Sequence, residues 1–596
     1  MSKSKQGRPR QSSTRSRRNA RHVGRRPAAL NGSGGSESVG SLGEWLRYVI
    51  GSAYGPDWFP MWPPDAFAVG AALLRRTGAY VGLVNGAHPR RHGHTTGSLE
   101  AAPAGRQWRS HLEAVLGSGR TGKLREACPA EVRHWWTDLM RCSKELMEAC
   151  AANLALTDAA ANLCIACDEA CRGIGITGNV DTVDPFLAAA EGMLRANNSR
   201  SFCWHISTAK LAVLGKRHTP QRGCTIRSLT HNLALYTPSE IQARWDGPYR
   251  SAGDLDVFNL LLLPWPTQVS AGDFRVAPRR SGLGGGAGGP KAHRYFDYAP
   301  RAIETPQALV RRVNRALDIA IGESDQIHGI VFPELALTHA QFEAVEELAI
   351  DRGALLIAGL RDAPSLQTNG MPVNACAIQP FGLSAVGDSG ARARSLRDEM
   401  RRVQLKHHRW CLDRNQILQY ELGRRLPASF DCWERVFIGP RDINFVTLGS
   451  WLTMCVLVCE DLARQDPVTD VIRAVGPNLV FALLMDGPQL THRWPSRYAS
   501  VLAEDPGSSV LSLTSLGMSR RSRPANPSAP NRSSTIALWR DAVFGEREIS
   551  LAADDDACVL SLVCKTQEEF TIDGRGYAKP AHFPVYAGEF PFRSGT

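Results

Sequence analysis

The stretch that decides the fold is Leu452-Thr453-Met454-Cys455-Val456-Leu457-Val458-Cys459-Glu460-Asp461. Its first seven residues form an apolar, partly β-branched run of strand length, the pattern of a strand buried on both faces. A polar pair and helix-forming residues follow, so Cys459 is expected at a sharp strand-to-helix bend. Side chains at strand ends project beyond the sheet edge, where α/β folds place their sites. Cys455 shares the face of Cys459 by strand alternation and reads as a core residue.

Working outward, short apolar strands alternate with capped helices from about Asp254 onward, which is α/β grammar. Strands are expected at Leu260–Leu263, Gly329–Phe332, Ala354–Leu360, Asn374–Gln379, Leu479–Met485, Ser509–Thr514, Thr535–Arg540 and Ala557–Val563. Thr305-Pro306 opens a helix, and Thr338 with Gln341 forms a capping-box pattern for another. Two further polar residues stand at strand ends: Glu334, after Gly329–Phe332 and Pro333, and Lys406, in the basic loop Gln404-Leu405-Lys406-His407-His408.

Strand-Pro-Glu, a Lys in a basic and aromatic loop, and strand-Cys-Glu-Asp, in that order, resemble the Glu-Lys-Cys pattern of the nitrilase, or carbon–nitrogen hydrolase, superfamily. The resemblance spans residues 253–566. The Cys-Glu-Asp form is most similar to the glutaminase domain of glutamine-dependent NAD synthetase. It implies a nitrilase-like four-layer α-β-β-α sandwich, a homodimer, and a second glutamate that orients the lysine. Glu421 is the candidate for that glutamate, with Glu434 behind it. Family pattern places pocket-lining residues just after the post-nucleophile strand, here Asp486 and Gly487; an acidic Asp486 would suit an amine- or amide-bearing substrate. The Ser270–Tyr298 stretch and the segment between Lys406 and Cys459 are long for the family, and both are expected to rim the pocket.

The chemistry accounts for these residue types. Amide and nitrile carbons are poor electrophiles, and a thiolate is the strongest side-chain nucleophile. A lysine ammonium and a helix N-terminus favour that thiolate. Glu334 serves as general base for Cys459 and then for water. Lys406, with the backbone N–H of Glu460, stabilises the oxyanion. No cofactor is expected.

The chain has 596 residues, with 43% hydrophobic and 21% charged, enough for two or three domains and a sizeable core. Of its net charge of +12, ten units lie in residues 1–30, which hold no Asp or Glu, so the rest of the chain carries +2. That segment, rich in Ser, Gly and Pro, reads as part of a disordered basic tail (1–40). It is a solvated tail, an arm for nucleic acid or another anionic partner, or a transit peptide. Residues 41–250 read as a mostly α-helical N-terminal domain, with a helix at Asp65–Arg76 and one long helix or a helical pair over Ser143–Cys171. Residues 567–596 read as a C-terminal extension.

No apolar run is long enough to span a membrane, and 15 scattered Cys suit a reducing compartment, so the cytoplasm is expected. Cys164, Cys167 and Cys171 share one helix face and read as core rather than as a metal site. The His92-Gly93-His94 loop has no carboxylate motif beside it to suggest a metal. Gly284–Gly289 fits G-x-G-x-x-G, but Pro290 follows and no helix opens, so no phosphate site is expected. Ser33–Ser38 is set aside likewise.

The expectation is therefore an amidase-like hydrolase of a small amide or nitrile-like substrate. The alternative is a nitrilase-like sensor or effector, of the kind found in bacterial defence, whose N-terminal region binds nucleic acid or a partner.

Overall fold

The computed structural model describes residues 40–55, 58–83, 96–176, 184–217, 225–238, 240–252, 255–278, 293–301, 303–384, 391–524, 532–576 and 580–595. Leu452–Val458 is a strand over all seven of its residues, every one buried. It pairs in parallel with Leu479–Leu484, which pairs in parallel with Ser509–Thr514. Their continuous apolar runs are what parallel strands covered on both faces require. Thr535–Asp541 and Gly545–Ser550 extend the sheet antiparallel on one side. On the other, Asp442–Leu448 pairs antiparallel with Leu452–Val458, and Gln242–Tyr249 runs parallel beside it.

A second seven-stranded sheet has the order Arg402–Leu405, Ala375–Gln379, Leu355–Leu360, Gly329–Val331, Val257–Leu262, Ala557–Gln567, Ala581–Phe592. Helices Pro306–Ser324 and His339–Asp351 pack on it. Leu309, Val313, Leu317, Phe342 and Val345 form one apolar cluster with Leu261, Ile330, Leu356 and Val559. Thr305 caps the first helix and a Thr338–Gln341 capping box opens the second, satisfying amides that a helix start leaves unpaired. On the other sheet, the helix Trp494–Glu504 packs over Ser509–Thr514 and Thr535–Asp541. The two sheets meet through buried polar contacts. Gln404 Nε2 donates to Val456 O (2.9 Å), Asn444 N donates to Gln404 Oε1 (3.1 Å), and Ser509 Oγ donates to Pro584 O (2.6 Å). The chain is thus a mixed α/β protein in which helices pack on two apposed sheets.

The two long stretches noted in the sequence join to each other. Cys411–Leu412, Asp431–Glu434, His293–Tyr298 and Phe274–Val276 form a four-stranded sheet, in that order. Asp431–Glu434 and His293–Phe296 are paired in parallel. Beneath it lies a cluster of Phe274, Phe296, Trp410, Leu412, Tyr420 and Cys432 with Met485 and Met518.

Before residue 212 the elements are helical, including Pro63–Thr77, Thr96–Gly117, Ala130–Arg141, Leu154–Ala170 and Pro185–Ala196. Ser143–Cys171 is neither one long helix nor a helical pair. Asn153 accepts a hydrogen bond from Leu156 N and starts the helix at Leu154, while the preceding residues form turns and a short 3-10 segment at Cys150–Ala152. Cys164, Cys167 and Cys171 are all buried.

The stretch before residue 250 is also less helical than its composition implies. Ala212–Gly215 pairs with Leu233–Tyr236, and Gln242–Tyr249 completes a seven-stranded sheet. Residues past 566 add the edge strand Ala581–Phe592. They also supply Arg575, which reaches Glu169 (3.0 Å) on the Leu154–Ala170 helix. Among the described residues, no helix is long and apolar enough to cross a membrane. The tail 1–39, Ser33–Ser38, the His92/His94 loop and Gly284–Gly289 lie outside the described residues.

Candidate active site

Three strand ends bring the polar groups together. Glu334 follows Gly329–Val331, and the next residue, Leu335, takes φ 55°. Gly359, on the neighbouring strand, makes this bend possible, because a Cβ there would stand 2.5 Å from Glu334 Cα. Lys406 follows Arg402–Leu405, and its N–H donates to Asn374 O (2.9 Å). Cys459 sits between Leu452–Val458 and the short helix Glu460–Ala463 at φ 51°, ψ −109°. Its N–H is held by Leu483 O (2.9 Å) on the adjacent strand. A non-glycine residue in such a conformation costs about 1–3 kcal/mol and persists only where surrounding structure imposes it.

Lys406 Nζ lies 2.8 Å from Glu334 Oε1 and 2.7 Å from Glu434 Oε2. Asn374 Nδ2 donates to both carboxylates, at 2.7 Å each. Trp410 N donates to Glu434 Oε2 (3.1 Å), fixing that side chain from a third direction. Glu334 Oε2, by contrast, is buried and has no hydrogen-bond partner among the described residues. The centre is closed: Glu334 is 0%, Lys406 1% and Cys459 1% exposed.

Burial raises Glu334 above the usual carboxylate range; the Lys406 ammonium opposes the shift and Glu434 adds to it. Burial works against the charge of Lys406, but Glu334 and Glu434 outweigh it and hold the ammonium well above its ordinary value. For Cys459, burial and the Glu334 carboxylate together override Lys406 and push the thiol well up. Burial thus works against the thiolate that a lysine and a helix start favour, which leaves the proton transfer to the base that the sequence suggests at Glu334. The thiol keeps its proton until a base removes it.

The arrangement brings together Glu334, Lys406 and Cys459, with Glu460 following at the start of its helix. It does not bring in Glu421. That residue, at φ 53°, pairs with Arg523 (3.0 Å) and Arg532 (2.9 Å). Glu434 stands on Lys406 instead, because the strand Asp431–Glu434, paired with His293–Phe296, ends there. Asp486 is buried, and its carboxylate accepts from Tyr420 Oη, Arg493 Nη2 (2.8 Å) and Trp494 Nε1 (3.0 Å). It is committed to its own neighbours rather than offered to an amine. Gly487 N donates to Tyr420 Oη (3.3 Å).

Two contributors were missed. Asn374 precedes a strand and carried no signal of its own. Asp461, fully buried, accepts from His408 N (3.0 Å), His407 N (3.1 Å) and His408 Nδ1 (2.9 Å). It ties the loop after Lys406 to the helix after Cys459. Its place two residues past Cys459 was the available hint.

No family model matches the chain, and no curated protein matches it in sequence. Solved structures do. An amidase from Nesterenkonia sp. is 12% identical, covering 51% of this chain and 90% of that one, with a TM-score of 0.29. Nit3 of Saccharomyces cerevisiae, a member of branch 10 of the nitrilase superfamily, is 10% identical over 52% and 93%, with a TM-score of 0.31. A carbon-nitrogen hydrolase from Helicobacter pylori G27 is 11% identical over 50% and 86%, with a TM-score of 0.27.

Proposed function

We propose that this chain is an amidase-like hydrolase that cleaves a non-peptide carbon–nitrogen bond of a small substrate through a thioester on Cys459. The observation that carries this reading is the closed Glu334–Lys406–Glu434 cluster beside the buried Cys459 thiol, with one oxygen of Glu334 left without a partner among the described residues. The order of motifs shared with nitrilase-type hydrolases supports it.

Glu334 Oε2 takes the thiol proton as Sγ attacks the carbonyl carbon. The electron pair moves to oxygen. An ammonium has three N–H donors; two of those of Lys406 are held by Glu334 and Glu434, and the third meets the oxyanion together with the Glu460 N–H. Collapse breaks the carbon–nitrogen bond, and protonated Glu334 returns its proton to the departing amine. Water then attacks the thioester with Glu334 again as base, and collapse releases the acid and restores the thiol. Glu434, Asn374 and Asp461 act as positioning residues.

The test is ammonia release from a panel of small primary amides, with the mass of Cys459 read by peptide mass spectrometry. Turnover with an acyl adduct on Cys459, both lost in folded Cys459→Ala, is expected. Unchanged turnover in Cys459→Ala would sink the reading.

A further inference from the structure

The surroundings of Cys459 are set in part by the strand beside it. The Cys459 N–H is held by Leu483 O (2.9 Å), and the strand Leu479–Leu484 runs on through Met485 to Asp486 at the same end of the sheet. Thr514 fixes Asp486 there: the Asp486 N–H donates to Thr514 Oγ1 (3.2 Å), and that hydroxyl donates to Asp486 O (2.6 Å). Tyr420, which donates to the Asp486 carboxylate, belongs to the apolar cluster that contains Leu335, the residue after Glu334. The same cluster holds Trp410, whose N–H donates to Glu434.

Charge at this end of the sheet is negative in balance. Beside burial itself, Glu334, Lys406, Glu460 and Asp486 act on the Cys459 thiol, and of these Lys406 alone favours its ionisation. Lys406 is already shared between Glu334 (2.8 Å) and Glu434 (2.7 Å). Two arginines are each turned onto an acid: Arg464 on Glu460 (2.9 Å), and Arg493 Nη2 on both oxygens of Asp486 (2.8 and 3.0 Å). Four carboxylates thus meet three cations, and each of the three is paired. Arg493 Nε is buried and has no hydrogen-bond partner among the described residues, so the guanidinium keeps a donor that Asp486 does not use. A carboxylate entering so closed a place loses its hydration and meets the excess of negative charge at low dielectric. An uncharged chain of the same size pays neither cost.

We propose that this site refuses anions: its substrates are small amides whose acyl part bears no negative charge, and the Asp486–Arg493 pair withholds the arginine from carboxylates. The inference names a substrate class for the proposed hydrolase and rests on that reading. Charge selection at the Cys459 sulfur can nevertheless be measured without turnover.

Iodoacetamide and iodoacetate both alkylate a thiolate with loss of iodide, and they differ in charge. Their rate ratio at Cys459 of the full-length protein, read by peptide mass spectrometry, is compared with the ratio at the same cysteine in the urea-unfolded chain. Native Cys459 is expected to prefer iodoacetamide at least about tenfold more than the unfolded chain does, or about 1.4 kcal/mol. Asp486→Asn, which removes one acid and frees Arg493, is expected to cut that preference at least about threefold. In parallel, 4-methylpentanamide is expected to exceed succinamate, its anionic counterpart in shape, at least about tenfold in kcat/KM. The proposal is overturned by three results: equal ratios in the native and unfolded chains, a preference unmoved by Asp486→Asn, or succinamate turned over as well as 4-methylpentanamide. If Asp486→Asn does not fold, Glu460→Gln decides, because it removes another of these acids and leaves the Asp486–Arg493 pair intact. If neither reagent alkylates Cys459, the two amides decide. Reagent selection without turnover of any amide sinks the hydrolase and leaves charge selection standing, whereas turnover led by succinamate does the converse. Neither alkylation nor turnover overturns both.

Discussion

At the scale of single residues, the centre turns on which glutamate stands behind Lys406. Glu434 touches Nζ and Glu421 pairs with surface-side arginines. Glu434→Gln is expected to lower kcat by roughly 10²-fold, the order seen when an oxyanion stabiliser is lost, and Glu421→Gln to leave kcat within about twofold. Equal losses in both would refute the assignment. The raised pKa of Glu334 fixes the acid side of the pH profile. As the proposed base, Glu334 works only when ionised, so activity is expected to be full above the raised pKa and lost as pH falls through it. The acid limb of kcat/KM therefore has its midpoint above the ordinary carboxyl value of 4.5. A midpoint at or below that value contradicts a buried base.

At the scale of elements, the close approach of two strands holds Glu334 in place. Gly359→Ala puts a Cβ 2.5 Å from Glu334 Cα, and Gly382→Ala makes a comparable clash against the Ala354 carbonyl, away from the centre. Both are expected to lose about 1–3 kcal/mol of stability, the cost of overpacking, measured by denaturant unfolding. Only Gly359→Ala is expected to lose kcat in the folded fraction.

Elements of this kind were unevenly legible in the sequence. Leu452–Val458 and Ser509–Thr514 were read over their full observed length, because continuous apolar runs leave no other pattern to fit. Asp442–Leu448 is a strand inside a stretch whose sequence suggests a pocket rim. Gln242–Tyr249, with its charges and Gly-Pro, becomes a strand only because Asp442–Leu448 lies beside it. The choice of Glu434 was hidden for the same reason: it depends on a parallel pairing with His293–Phe296, and no local pattern encodes a partner that far along the chain. Glu334, Lys406 and Cys459 were legible because each ends a strand.

At the scale of the molecule, residues on both sides of 250 share a sheet, and Arg575 ties a C-terminal loop to an N-terminal helix. A fragment beginning at residue 253 loses Gln242–Tyr249 and bares the Asp442–Leu448 edge. Exposed sheet edges recruit other chains, so the fragment is expected to elute as aggregate in size-exclusion chromatography, whereas a chain beginning at Gly40 elutes as a folded species. Discrete elution of a folded 253–596 fragment would show that the shared strand is dispensable.

The enclosure of Cys459 also decides which chemical reagents can find it. Thiol dyes and maleimides need an accessible, ionised sulfur. Among the described cysteines, Cys142, Cys411 and Cys564 are only partly buried, whereas Cys459 is 1% exposed and its thiol is pushed well up by burial. Bulky labels are therefore expected to decorate the periphery and leave Cys459 unmarked. On the proposed mechanism, a small electrophile shaped like an amide draws on Glu334 to strip the thiol and is expected to do the reverse. Labelling stoichiometry with a generic dye thus says nothing about the fraction of competent enzyme, and a compact warhead is the reagent with which to count active sites.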